Sequence, residues 1–166
     1  MNILGIGGFS HDSAAALVCD GKLVAAIEEE RLSRIKHQGG VPILAAQACL
    51  DIAGLKKDDI DHIACYMKPL KRLVRRIPYR LMQGFRSPLF SSAYLFYELV
   101  HNAQYVVGMR GLCGKKTRLH FLDHHPAHAA SAFLVSPFDE AALLSIDYIG
   151  EWAATWLGIG RGTDLA

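Results

Sequence analysis

Paired cysteines are missing from this sequence: Cys19, Cys49, Cys65 and Cys113 are widely scattered and form no CxxC. That excludes a disulfide framework and argues against a thiolate-bound structural zinc site; the four read as buried small hydrophobes in a reducing cytoplasm. Charge of one sign is not in excess either. The 18 Lys and Arg against 16 Asp and Glu give a net charge of +2, too balanced for charge alone to imply a nucleic-acid or membrane partner. No apolar run reaches spanning length, since Glu98, His101, Asn102 and Gln104 interrupt the longest, over 90–109. No basic-then-apolar leader precedes the strand-like Asn2 to Ile6, so no signal peptide is expected and the expected setting is cytoplasmic. What remains is 166 residues with 51% hydrophobic content, enough for a packed core and equal to one ordinary domain or part of a larger one.

Short apolar runs at Ile3 to Ile6, Ala14 to Val18 and Leu23 to Ile27, joined by Gly7 to Asp12 and by the tight Cys19-Asp20-Gly21-Lys22, predict three antiparallel strands. Helical spacing predicts a helix from Pro42 to Ala53 closed by Gly54. A strand over His62 to Met67, a long helix over Ser91 to Met109, a strand over Leu119 to Leu122 and a helix over Ala127 to Leu134 follow. Residues 68–86 carry seven cations and no acid; this polarised stretch reads as a solvated amphipathic cover, with phosphate or nucleic-acid binding disfavoured. The pattern then restarts, with strands over Ala142 to Asp147 and Trp152 to Ile159 around a turn at Tyr148-Ile149-Gly150-Glu151. The predicted class is α/β: a lobe with a mixed five-stranded sheet flanked by helices over residues 1–140, and the first hairpin of a second lobe over 141–166.

Three groups of residues carry chemistry. His124 and His128 are four apart, so a helix through them stacks two imidazoles on one face, and Asp147 ends an apolar strand that could bring a carboxylate to them. Imidazole plus carboxylate with open positions suits iron, zinc or manganese. The glycine-bearing turn Gly7-Gly8-Phe9-Ser10-His11 can offer backbone N–H groups to an oxyanion, which makes Gly8, Ser10 and Asp12 candidate substrate or phosphate contacts. His11 is suited to proton transfer near neutral pH, while Asp12 can equally act as a simple turn cap. Third, Glu28 to His37 offers three carboxylates, three cations and a histidine, a mixture that usually pairs with itself on a surface.

Read in order, Phe9 to Leu17, Ala26 to His37 and Asp123 to Phe133 resemble the carbamoyltransferases that modify nodulation factors and antibiotics, across nearly the whole chain but only the N-terminal part of that family's first domain. The resemblance implies an actin-like ATPase (ribonuclease H-like) fold. It implies that a separate C-terminal domain makes carbamoyl adenylate from carbamoyl phosphate and ATP, and that the first domain passes the carbamoyl group to a hydroxyl-bearing small molecule. It also implies iron at His124, His128 and Asp147, with His11 contacting the carbamoyl group or deprotonating the acceptor, and Lys36 and Arg34 assisting electrostatically. Gly150 and Glu151 would contact phosphate in the second hairpin. Tyr148 departs from the pattern there, standing where the family has a glycine. On this reading the 166 residues are inactive alone and need a missing C-terminal part. Two other readings compete: a binding or assembly module that docks a partner or itself through an incomplete sheet edge, and an ATPase or sugar-kinase relative, disfavoured because such enzymes have no need of the His124/His128 pair.

Overall fold

The structure, a computed structural model, describes residues 1–68, 74, 78, 82, 88–150 and 153–166. They fall into two compact units, Met1–Cys65 with Ser92–Phe121, and Tyr66–Ser91 with Leu122–Ala166.

The first unit is a mixed sheet. Strands β1 (Asn2–Gly7), β2 (Ala14–Cys19) and β3 (Lys22–Glu28) pair antiparallel in succession, and β4 (His62–Cys65) and β5 (Arg118–Phe121) add in parallel on the other side of β1, giving the order β3-β2-β1-β4-β5. Asp20 and Gly21 both take positive φ (48° and 77°) between β2 and β3, the backbone that a two-residue hairpin turn requires. Period-two burial then sorts the faces: Leu4 and Ile6 on β1, Ala15 and Leu17 on β2, and Ile63 and Cys65 on β4 are all buried. A short α1 (Glu29–Ser33) follows β3, and α2 (Ile43–Ala53) packs over β2 and β3 through Ala45, Ala46, Cys49 and Leu50. Gly54 closes α2 in the left-handed conformation, as its position after the last periodic residue predicts. The long helix α3 (Pro88–Leu112) buries Tyr105 and Met109, and the Tyr105 hydroxyl lies 2.6 Å from Cys65 Sγ.

In the second unit α4 (His124–Phe133) packs on an antiparallel sheet of β6 (Glu140–Gly150), β7 (Ala153–Arg161) and β8 (Asp164–Leu165). Phe133 explains a glycine on β7: a Cβ at Gly160 would stand 2.5 Å from its ring. The other face of the sheet is apolar and open, with Leu144, Ile146, Leu157 and Ile159 exposed and Leu144 paired across the strands with Leu157.

Several boundaries differ from the sequence reading. Helix α4 starts at His124 rather than Ala127, because Pro126 falls in the first turn, where a backbone N–H has no intrahelical acceptor and its loss costs nothing. The strand read as His62 to Met67 stops at Cys65, and β6 continues past Asp147 to Gly150, which pairs with Ala153. Glu151 lies outside the described residues, as does the basic stretch 68–86 apart from Lys68, Val74, Pro78 and Met82. Among the described residues no helix is long and apolar enough to cross a membrane.

Candidate metal centre

Helix α4 and strand β6 bring the predicted ligands together. His124 and His128 are one turn apart on α4, and Asp147 reaches them from β6: His124 Nε2 is 2.8 Å from Asp147 Oδ2, His128 Nε2 is 3.0 Å from His124 Nε2, and His128 Nε2 is 3.7 Å from Asp147 Oδ2. Hydrogen bonding alone satisfies this cluster poorly. Each neutral imidazole has one donor and one acceptor nitrogen, and His124 Nε2 cannot both donate to Asp147 and accept from His128 in the same tautomer. A cation at the centre resolves the conflict, since ligand atoms about 2.0–2.2 Å from one metal lie at such mutual separations. The donor set therefore fits a divalent transition metal. Burial is the main cause pushing the His128 imidazole below its ordinary pKa, reinforced by neighbouring His124 and opposed by Asp147, so its lone pair is available at neutral pH.

The surroundings hold the pair in place. Tyr66 sets its ring against His124 edge-on at 5.0 Å, and Asp123, just before the helix, pairs with Lys68 at 2.6 Å. His125, also turned to the sheet and buried, donates from Nε2 to the Ala153 carbonyl at 2.7 Å and accepts at Nδ1 from the Ser145 hydroxyl at 2.9 Å, pinning α4 to both long strands. Beside the cluster lies an open cleft of about 520 Å³ whose lining includes His128, Ala129, Ala132, Leu143 and Asp147.

The first unit holds the other predicted site residues. Phe9 is buried against Tyr105 and His101, at ring distances of 4.2 and 4.5 Å, which anchors the turn after β1 to α3. Residues 37–40 lace that turn down: Ser13 N and Oγ donate to the Gln38 carbonyl at 2.8 and 3.0 Å, and Gly40 N donates to Phe9 O at 3.0 Å. Gly8 is buried with φ +80°, and Ser10 is exposed. Asp12 lies between two imidazoles, with its Oδ2 2.7 Å from His11 Nδ1 and its Oδ1 2.8 Å from His37 Nδ1. Those bonds, that to His37 first, hold its carboxyl below the usual carboxylate range. Arg34 and Lys36 are exposed, and Arg34 ends α1 in the left-handed conformation with its N–H on Glu30 O at 3.0 Å.

Sequence reasoning missed Glu29 and His37. Glu29 lay hidden in an apparent surface charge run, yet it is buried and accepts from Leu44 N at 3.1 Å and Ala45 N at 2.7 Å. The signal was at the far end: Pro42 precedes α2 and has no side-chain acceptor, so the helix needs a cap from elsewhere. His37 meets Asp12 across 25 residues and leaves no local trace.

The mixed five-stranded sheet of order β3-β2-β1-β4-β5 followed by a second sheet is an actin-like ATPase fold, and the candidate metal centre lies in its second unit. YeaZ from Pseudomonas aeruginosa, a protein of that fold, superposes with a TM-score of 0.51 over 95% of this chain and 58% of its own, at 12% identity. Residues 2–166 match the family described as Carbamoyltransferase N-terminus, and the chain belongs to the carbamoyltransferase family. It is 43% identical over 99% of its length to an uncharacterized protein of Synechocystis, and 35% identical over 95% to the nodulation protein NolNO of Sinorhizobium fredii. The chain spans only 28% and 22% of those relatives.

Proposed function

We propose that this chain is the acceptor-side part of an O-carbamoyltransferase, in which a carbamoyl group passes from carbamoyl adenylate to a hydroxyl of a small molecule. The observation that carries this is the convergence of His124, His128 and Asp147 in a chain of the carbamoyltransferase family. In the transfer, the acceptor oxygen attacks the carbamoyl carbon, the bond from that carbon to the phosphate oxygen breaks with AMP as leaving group, and the hydroxyl proton moves to a base. His11 is the base, through Nε2, because Nδ1 is engaged by Asp12. Arg34 and Lys36 supply positive charge for carbamoyl or phosphate oxygens, Gly8 and Ser10 are the phosphate contacts of the first unit, and Gly150 and Glu151 are phosphate contacts on the family resemblance alone. His124, His128 and Asp147 would hold a divalent metal, with iron preferred over zinc or manganese, which when bound would supply Lewis-acid charge. The first lobe ends near residue 140 on this reading, the setting is the cytoplasm, and carbamoyl adenylate comes from carbamoyl phosphate and ATP on a part of the protein beyond this chain, so that the chain is inactive alone.

The open apolar face bearing Leu144, Ile146, Leu157 and Ile159 supports a second reading, a docking module of this fold. One titration separates the two. The metal-loaded chain is expected to bind a non-hydrolysable sulfamoyl analogue of carbamoyl adenylate saturably by calorimetry, and the His124→Ala, His128→Ala variant is expected not to. No binding to the metal-loaded wild type would refute the transferase reading of this site and leave the docking module.

A further inference from the structure

Asp12 is shared by two histidines. Its oxygens meet the Nδ1 atoms of His11 and His37, and an ionised carboxylate can only accept, so each ring donates from Nδ1 and, in its neutral form, has its lone pair on Nε2. Among the described residues neither Nε2 meets a hydrogen-bond partner, and both side chains are about two-thirds exposed, at 70% and 67%. The arrangement is built rather than incidental. Asp12 and His37 both take positive φ, 51° and 55°, an uncommon conformation for non-glycine residues. The constraints are visible: Glu30 accepts from His37 N at 2.9 Å, Ser13 donates twice to Gln38 O, and a Cβ at Gly39 would stand 2.5 Å from Ser10 O.

We infer that Asp12 is a positioning residue that fixes His11 and His37 in one tautomer, so that the pair forms a two-histidine proton site for a hydroxyl substrate. This deepens the proposed transfer by adding His37 to it, and depends on that reading for the substrate alone. The acceptor's proton goes to His11 Nε2 as its oxygen bonds to the carbamoyl carbon. The imidazolium that results is stabilised by the Asp12 carboxylate, and His37, on the same carboxylate, is a second basic nitrogen for returning the proton to solvent. The charged groups around the pair are Glu30, bonded to the His37 backbone; Arg31, which pairs with Glu28 and Glu30; and Arg34 and Lys36 nearby in sequence.

Long-range ¹H–¹⁵N spectra of the histidine rings, taken well above the ordinary histidine pKa of about 6.5, read the tautomers without any substrate. The expected result is protonated Nδ1 and bare Nε2 on both His11 and His37. In Asp12→Asn, which also tolerates positive φ, the amide NH₂ donates to the ring it faces, so at least one of the two should switch to the Nε2–H form. Nε2–H tautomers in the wild type would overturn the inference, and so would spectra unchanged by the substitution. If Asp12→Asn does not fold, the wild-type tautomers decide. Asp12, Glu30 and His37 also lie close enough to share a cation. Zinc added to the His124→Ala, His128→Ala variant should leave the His37 ring unshifted; a shift at His37 would make this a metal site and refute the proton site. Failure of analogue binding, by contrast, would leave these spectra untouched.

Discussion

Gly8→Ala is expected to lower the free energy of unfolding by about 2–5 kcal/mol, from the left-handed backbone and the overpacking together. A Cβ at this position would stand 2.1 Å from Ser13 Cα and 2.3 Å from Asp12 O, and φ is +80°. Both contacts are backbone, so no side-chain rotation relieves them. Relief requires the turn 8–13 to move, and that turn carries Ser10, His11 and Asp12 while Phe9 anchors it beneath α3. The denaturant midpoint should fall with little change in slope. The paired tautomer signature of His11 and His37 should be lost with it. An alanine variant as stable as the wild type would show that this turn does not need its observed conformation.

Glu29→Ala is expected to cost about 2–3 kcal/mol, in the range of a charged hydrogen-bonded cap. The physical reason is local to α2. Its first N–H groups have no intrahelical acceptor, its flanking residue Pro42 has no side chain to cap them, and Glu29, only 3% exposed, accepts from two of them. The same carboxylate faces the positive end of the helix dipole. Glu29→Gln keeps the shape and one acceptor oxygen, so its loss should be about half as large. A Glu29→Gln variant as stable as the wild type would place the Glu29→Ala loss in packing rather than in the cap.

These two positions also show which parts of the molecule are legible in sequence. Where a physical cause acts within a few residues, the reading and the structure agree: the three strands over the apolar runs Ile3 to Ile6, Ala14 to Val18 and Leu23 to Ile27, the Asp20-Gly21 hairpin, and Gly54 closing α2. The spacing of His124 and His128 belongs to this class, and the fold carries Asp147 to within 2.8 Å of His124. Pro126 misled because proline is tolerated in a first helical turn as well as just before one, so α4 begins three residues earlier than its apolar pattern. The sequence reading ended β6 at Asp147 because Tyr148 to Glu151 reads as a glycine-bearing turn, but pairing with β7 carries the strand to Gly150. Glu29, Asp12 and His37 were opaque for a different reason. Their partners are 15 to 25 residues away, and a carboxylate in a charge run looks the same whether it faces solvent or a helix N-terminus.

Whether His124, His128 and Asp147 form a metal site is read from the metal content of the purified wild-type chain, measured by elemental analysis beside the His124→Ala, His128→Ala variant. Near-stoichiometric iron, zinc or manganese is expected in the wild type and essentially none in the variant. A wild-type chain that purifies without metal and stays empty after incubation with each of these ions would contradict it.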